Sequence, residues 1–253
     1  MTEQDQIVES AVRAYWNTRA EGYSVKNNDE LAGETGDRLK IRFAERLGAG
    51  RGVKALDVGC GPGIFAITLA SLGCETTAVD LSPEMLAEAK ANAAARGLTV
   101  DFREGNAEAL PFADETFDIV VSRYLIWNLP HPEAALADWA RVLKKGGKLC
   151  FEDGNHYRWL FDPRYAKLRE QNGDGPGHAP KYLKGVSTEA MTDIAQTLPL
   201  SGADRPGWDL AVLEKLGLEA ELLERKTARL SETGEDLVTD FVVLAVKRLE
   251  AKR

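Results

Sequence analysis

Apolar runs of strand length alternate with segments of helical periodicity through the middle of the chain. The first run, 53–58, leads directly into a helical pattern at about 63–72. Further strands are predicted at 75–80, 99–104, 117–122 and 148–153, with helices at 83–96 and 132–143. Strands that alternate with helices predict an α/β protein with a parallel sheet that is covered by helices on both faces.

The N-terminal residues depart from this alternation. Apolar positions at helical spacing predict a helix at 5–20, and the pattern then breaks near Gly22. A polar, turn-rich stretch follows, and a second helix is predicted at 37–47. We therefore expect residues 1–50 to form a helical cap ahead of a single domain at 51–253.

The regular pattern also stops after the fifth predicted strand, at 154–205. This segment combines many aromatic residues with chain-breaking ones, as in Gly173-Asp174-Gly175-Pro176-Gly177. It is too long for an ordinary connection, so we expect a lid or a substrate-binding insertion there. Two strands at about 219–230 and 240–247, separated by a short turn, then predict an antiparallel hairpin at the edge of the sheet.

Composition and charge narrow the classes of function. The net charge of −8 disfavours binding to nucleic acid, which needs clustered lysine and arginine. No apolar run approaches the roughly 20 residues of a membrane span, and the N-terminus lacks the features of a secretory signal. The isolated cysteines Cys60, Cys74 and Cys150 predict buried free thiols in a cytoplasmic protein. The scattered carboxylates and histidines indicate no metal site.

The turn after the first predicted strand carries the strongest chemical signal. Gly59, Gly61 and Gly63 let the backbone pass close to a ligand, because no Cβ atom stands in the way. A strand, a glycine-rich turn and a helix could hold NAD, FAD or another nucleotide. Asp57, inside the strand, would repel a pyrophosphate but suits a ligand that bears an ammonium group.

Two further turns are expected beside the glycines. Asp80 ends the second predicted strand, where a carboxylate can accept both hydroxyls of a ribose. Asn106 follows the third strand, and its side-chain oxygen can accept a hydrogen bond from an adenine amino group. Open α/β sheets bind ligands at the carboxyl ends of their strands, so these turns predict one shared site.

Four segments, in this order, resemble class I S-adenosylmethionine-dependent methyltransferases: LDVGCGPG, AVDLSPEML, GNAEALPFADETFDIVVS and RVLKKGGKL. The resemblance covers about 53–151 and the terminal hairpin, and it points to the small-molecule branch that includes ubiquinone and menaquinone biosynthesis methyltransferases. It implies a Rossmann-like seven-stranded sheet of order 3-2-1-4-5-7-6 with strand 7 antiparallel. It also implies S-adenosyl-L-methionine as the methyl donor, S-adenosyl-L-homocysteine as the product and a small-molecule acceptor.

The resemblance also assigns contacts to the donor. The implied contacts are Asp57, Gly59, Cys60, Gly61 and Gly63 around the methionine part, and Asp80, Leu81, Asn106 and Ala107 around the adenosine part. Many members have aspartate at the position of Asn106, but an amide oxygen can still accept the adenine N–H. In the N-terminal cap, Tyr23 is expected to close over the donor.

Candidate catalytic residues follow the fourth and fifth predicted strands. Arg123 could hold an acidic group of the substrate or the carboxylate of the donor, or it could form a structural ion pair. Asp153 and His156 are candidates for a general base. The alternative for these two residues is that they cap and solvate the loop that follows the strand.

These observations predict transfer of a methyl group to an N, O, S or C nucleophile of a small organic molecule. A non-catalytic protein that binds an S-adenosyl ligand is one alternative. An NAD-dependent oxidoreductase is another, although Asp57 and the GxGxG spacing argue against it. The sequence leaves open whether the protein is a monomer or a homodimer.

Overall fold

The computed structural model describes residues 2–173 and 178–249. In chain order its helices and strands are α1 (Glu3–Ala32), α2 (Glu34–Arg42), a π-helical turn (Phe43–Leu47), β1 (Lys54–Val58), α3 (Ile64–Ser71), β2 (Glu75–Asp80), α4 (Pro83–Ala94), β3 (Asp101–Glu104), β4 (Phe117–Arg123), a 3₁₀ turn (Ile126–Asn128), α5 (Pro132–Val142), β5 (Leu143–Gly154), a second 3₁₀ turn (Arg158–Leu160), α6 (Pro163–Asn172), α7 (Pro180–Leu183), α8 (Glu189–Ala195), α9 (Gly207–Lys215), β6 (Leu218–Arg229) and β7 (Asp236–Lys247).

The strands form one sheet in the order β3-β2-β1-β4-β5-β7-β6. Strands β1 to β5 pair in parallel, and β7 is antiparallel to both of its neighbours, β5 and β6. This arrangement confirms the predicted fold class and strand order. The central position of β1 explains its apolar run, because helices cover both faces and leave Ala55, Leu56 and Val58 without solvent exposure.

Each face of the sheet carries its own apolar core. On one face, Trp139 of α5 and Leu213 of α9 pack among the side chains of the central strands. On the other, Phe43 and Phe65 meet edge to face, with ring centroids 5.0 Å apart. The two cores cover the faces of the sheet. Its carboxyl edge is therefore left to loops and to α1.

The predicted helix break near Gly22 is wrong. Helix α1 runs through Gly22 without interruption, because this glycine serves a close contact between helices: a Cβ atom there would overlap the carbonyl oxygen of Tyr182 in α7. The polar residues that suggested turns bond across to α4 instead. The side chain of Asn92 donates to Ser24 at 3.0 Å and accepts from Asn28 at 2.8 Å.

Gly22→Ala is expected to lower stability although it raises the helix propensity of α1. The propensity gain is about 1 kcal/mol, whereas overpacking costs about 1–3 kcal/mol. Urea unfolding measures the net effect, and amide hydrogen exchange should rise in α7. Ser10→Ala, on the exposed face of the same helix, is the control and should be slightly stabilising. A Gly22→Ala variant more stable than the wild type, with unchanged exchange in α7, would contradict the packing role.

One other expectation needs correction. Residues 144–147, which lie between the predicted helix at 132–143 and the predicted strand at 148–153, belong to β5, where the pairing with β4 shifts register between Phe117 and Ile119. The segment 154–205 contains the short helices α6, α7 and α8. Of its glycine-rich stretch, residues 174–177 lie outside the described residues.

The described residues contain no helix long and apolar enough to cross a membrane. Cys60, Cys74 and Cys150 are all buried free thiols.

Candidate active site

The glycine-rich turn after β1 is tied to β2 and open on its other side. The amide of Gly59 donates to the carbonyl of Val79 at 2.8 Å. Gly59 and Gly61 have φ angles of 67° and 51°, which glycine adopts without steric cost. A Cβ atom at Gly61 would come no closer than 3.9 Å to Tyr23 and 4.0 Å to Met85. The loop therefore leaves room for a ligand directly above Gly61.

The carboxylate of Asp80 lies at the end of β2 and is held by backbone amides. Its Oδ2 accepts from Gly61 at 2.7 Å, and its Oδ1 accepts from Ser82 at 2.9 Å. Burial raises the pKa of Asp80. Each carboxylate oxygen has two acceptor positions, so both oxygens can accept a further hydrogen bond.

Asp57 lies one layer deeper than Asp80. It is 1% exposed and accepts a hydrogen bond from the amide of Ala66, in the first turn of α3, at 2.8 Å. Burial raises the pKa of Asp57 to about 8, and the negative charge of Asp80 adds to this shift. The Asp57 side chain thus braces the start of α3 from below.

The turn after β3 is fixed on both sides. The carbonyl of Ala107 accepts from the indole N–H of Trp139 at 2.8 Å. The side chain of Asn106 accepts from the amide of Glu108 at 2.7 Å and donates to Glu9 of α1 at 2.6 Å. Helix α1 therefore lies directly over the third turn.

These turns and α1 border one pocket, which we name the glycine-loop cavity. It is bordered by Glu9, Val12, Arg13, Trp16, Tyr23, Gly59, Gly61, Asp80, Leu81, Ser82, Met85, Gly105, Asn106, Ala107, Glu108, Arg123, Tyr124, Leu125, Asn128, Leu129 and Pro130. The cavity combines hydrogen-bonding groups on the turns with apolar walls, as small-molecule sites do.

A larger cleft lies on the other side of Tyr23 and Tyr124, between α1 and the segment 154–205. We name it the insertion cavity. The aromatic residues that border it are Tyr15, Trp16, Tyr23, Tyr124, Trp127, Tyr157, Trp159, Tyr165 and Tyr182. The two cavities share four bordering residues, Trp16, Tyr23, Arg123 and Tyr124. These four side chains form the wall between the cavities.

Tyr124 in this wall has a strained backbone. Its φ of 54° lies in the left-handed region, which non-glycine residues rarely adopt. Its hydroxyl donates to Glu152 at 2.9 Å, and its carbonyl accepts from the indole of Trp127 at 2.9 Å. Backbone strain held by surrounding contacts is common at functional sites, and here it places a phenol ring between two cavities.

Arg123 is the charged member of the wall. Its guanidinium pairs with Glu30 of α1 at 2.6 Å and with Glu152 of β5 at 3.4 Å. Although burial opposes the shift, Arg123 and Arg42 lower the pKa of Glu152 to about 2. This geometry is that of a structural ion pair, and it ties α1 to the sheet beside both cavities.

Asp153 lies near the end of β5 and His156 follows that strand, and the two have different surroundings. Asp153 is 1% exposed, pairs with Arg205 at 3.0 Å and accepts from the amides of Trp127 and Gly154 at 3.2 and 2.8 Å. His156 is half-buried and borders the insertion cavity. Burial lowers the pKa of His156. Only His156 therefore lies where an acceptor could touch it.

Comparison with known proteins fits this geometry. Residues 56–151 match the methyltransferase domain family. A ubiquinone biosynthesis O-methyltransferase from Cereibacter sphaeroides is 38% identical over 156 residues, which are 62% of this chain and 63% of that protein. A demethylmenaquinone methyltransferase from Renibacterium salmoninarum is 36% identical over 145 residues, 57% of this chain and 59% of that protein. Residues 56–151 are therefore similar to methyltransferase domains of this family.

The fold comparison agrees with this family. The structure of a SAM-dependent methyltransferase from Aquifex aeolicus superposes with a TM-score of 0.56 at 18% identity, over 88% of this chain and 98% of that one. At that identity the likeness concerns the fold alone. The chain spans 51% of the length of some curated relatives and 63% of the ubiquinone enzyme.

The fold brings most of the predicted donor contacts to one cavity. Those that border the glycine-loop cavity are Tyr23, Gly59, Gly61, Asp80, Leu81, Asn106, Ala107 and Arg123. Asp57, Cys60 and Gly63 do not border it; a Cβ atom at Gly63 would instead press on Ala89 of α4 at 3.3 Å. Gly63 thus serves the packing of α3 on α4.

Sequence reasoning missed several residues of the cavity. Trp16 reads as a core residue but borders both cavities, and Glu9 was not singled out at all. The apolar residues Leu129 and Pro130 form another part of the border. The only sequence signal for these residues is their position, on a helix or a loop that passes the carboxyl edge of the sheet.

Proposed function

We propose that this protein is an S-adenosylmethionine-dependent methyltransferase that acts on a small organic molecule. The observation that carries the proposal is the pair of cavities with a common wall of four side chains. One cavity suits the donor and the other suits an acceptor. In this proposal the donor and the acceptor meet beside Tyr23 and Tyr124, where the nucleophile attacks the methyl carbon as the C–S bond breaks.

The glycine-loop cavity has the groups that an S-adenosyl ligand needs. The free lone pairs of Asp80 suit the two ribose hydroxyls, and Asn106 with Leu81 suits the adenine. The open space above Gly61 accommodates the methionine part, with Asp57 beneath the loop and Tyr23 over it. The donor supplies an activated methyl group, and the protein contributes the placement of the two reactants and the exclusion of water.

The insertion cavity suits an acceptor with a flat, apolar ring. Tyr157 stacks on Trp127 with ring centroids 5.0 Å apart and planes at 25°, so the pair presents aromatic surface to the cavity. The relatives named for ubiquinone and menaquinone biosynthesis support the same class of acceptor. In this proposal α1 and the segment 154–205 form the lid, because their contact at Gly22 and Tyr182 closes one side of the cavity.

Calorimetry tests the donor site. We expect S-adenosyl-L-homocysteine to bind and NAD not to bind, because the GxGxG turn departs from the GxGxxG spacing of dinucleotide-binding turns. Failure of S-adenosyl-L-homocysteine to bind would overturn the proposal. Release of methylated product from a panel of phenols, amines and thiols separates an enzyme from a protein that only binds the donor.

A further inference from the structure

His156 occupies a distinctive position at the border of the insertion cavity. Its ring meets those of Tyr124 and Trp127 edge to face, with centroid distances of 5.0 and 5.7 Å. Tyr124 belongs to the wall between the cavities, so the imidazole lies on the acceptor side next to that wall. A Cβ atom at residue 154 would approach the ring to 2.9 Å, and Gly154 thus makes room for it.

The two ring nitrogens of His156 have unequal surroundings. Nε2 is enclosed by protein atoms, has no hydrogen-bond partner and lies 3.7 Å from Oδ1 of Asp153. Nδ1 also forms no hydrogen bond. Unlike Nε2, it is not enclosed by protein atoms, and it is open to the insertion cavity. A small movement of the ring would let Nε2–H donate to Asp153, which would leave the lone pair of Nδ1 directed at an acceptor.

The Asp153 carboxylate is held where it can act on the ring. Its Oδ2 accepts hydrogen bonds from Arg205 at 3.0 Å and from the amide of Trp127 at 3.2 Å. Its Oδ1 accepts one bond, from the amide of Gly154 at 2.8 Å, and keeps a second acceptor position on the side of His156. The carboxylate is therefore fixed and still able to accept from the imidazole.

We propose that His156 is the general base for a hydroxyl group on the acceptor, and that Asp153 is the positioning residue that selects its tautomer. This inference rests on the proposed methyltransferase function and adds that the nucleophile is an oxygen that carries a proton.

The step balances in atoms and electrons. The hydroxyl oxygen attacks the methyl carbon and forms the O–C bond. The C–S bond breaks, and its electron pair stays on sulfur to give S-adenosyl-L-homocysteine. The hydroxyl proton moves to Nδ1 of His156.

The charges around the ring suit this role. Burial lowers the pKa of His156, and the positive charges of Arg205 and Lys26 lower it further. The negative charges of Asp153 and Asp240 oppose this shift. The ring is thus neutral and able to accept a proton near pH 7. Asp153 and Asp240 would stabilise the imidazolium that forms.

Two acceptor probes separate base catalysis from binding. Catechol keeps its proton at neutral pH, whereas thiophenol is largely ionised and needs no base. His156→Asn should lower kcat with catechol by on the order of 100-fold and change kcat with thiophenol by less than about threefold. If His156→Asn lowers kcat equally with catechol and thiophenol, or with neither, the inference is overturned. Transfer to thiophenol but to no phenol would overturn it as well.

A second readout needs no acceptor. The chain has only three histidines, so ¹⁵N-labelled histidine spectra of the S-adenosyl-L-homocysteine complex can be assigned by substitution. We expect His156 to be neutral at pH 7 with its proton on Nε2, and Asp153→Asn to abolish that preference. A proton on Nδ1 in the wild type would overturn the inference. If the wild type does not bind S-adenosyl-L-homocysteine, the proposed function is overturned instead.

Discussion

Arg205→Met is expected to lower the free energy of unfolding by about 3–5 kcal/mol. Arg205 is fully buried between two buried carboxylates: it contacts Asp153 at 3.0 Å, and its Nε donates to Asp209 at 2.9 Å while Nη2 pairs with the other oxygen. Removal of the guanidinium leaves both carboxylates in the interior without their counter-charge. The cost is therefore that of two unpaired buried charges rather than of one lost contact.

Urea unfolding at pH 5 and pH 8 measures this effect. Burial raises the pKa of Asp209 and Arg205 opposes that shift, so without Arg205 the folded-state pKa of Asp209 rises further and the variant holds a proton that the unfolded chain has released. Its stability then falls as pH rises, and the loss should be larger at pH 8 than at pH 5. Arg103→Met is the matched control, because Arg103 pairs with Asp101 at a half-exposed site and should change little. A loss below about 1 kcal/mol for Arg205→Met would contradict the argument.

The same cluster shows why the candidate base was only partly predictable. Asp153 and His156 stand out in the sequence because they follow a predicted strand that ends at the ligand edge of the sheet. The partner that fixes Asp153, Arg205, lies fifty-two positions further along the chain. No periodicity or spacing relates the two residues, so the sequence cannot show that Asp153 is held while His156 borders a cavity.

The sheet was predictable because each strand carries its own local signal. The strands β1 and β4 are rich in apolar residues, β2 carries Ala78 and Val79 ahead of Asp80, and the helices that follow begin at glycine or proline signals such as Ser82-Pro83. The acids Asp57 and Asp80 could be placed at strand ends for the same reason. Local pattern was sufficient to place the strands along the chain, whereas their order in the sheet came from the family resemblance.

Local pattern failed where polar residues are buried by another helix. The second half of α1 looks like a turn because Ser24, Asn27 and Asn28 are polar, yet Ser24 and Asn27 are buried, and Ser24 and Asn28 bond to Asn92. Their hydrogen bonds stabilise a contact between α1 and α4 that exists only in the folded chain. Trp16 and Glu9 lie in the predicted half of α1, and their roles escaped prediction because only the folded chain shows that this helix passes over the turns of the glycine-loop cavity.

Asp80→Ala should weaken the binding of S-adenosyl-L-homocysteine by about 100-fold or more. The carboxylate already accepts hydrogen bonds from the backbone amides of Gly61 and Ser82. It keeps two acceptor positions for the ribose hydroxyls. Hydrogen bonds to a charged group contribute about 1.5–3 kcal/mol each, so the loss of two gives about 3 kcal/mol or more. Part of the loss comes from the glycine loop, because the amide of Gly61 would lose its partner.

Calorimetry on three variants separates these contributions. Asp80→Asn keeps a side-chain oxygen that can still accept from one of the two amides but lacks the charge, so it should bind more tightly than Asp80→Ala and more weakly than the wild type. Glu84→Ala is the control, since this exposed acid lies four residues along in the first turn of α4 and does not border the cavity. Circular dichroism must show that each variant is folded. If Asp80→Ala binds as tightly as Glu84→Ala, the carboxylate does not hold the ribose, and the orientation of the donor in the glycine-loop cavity must be different.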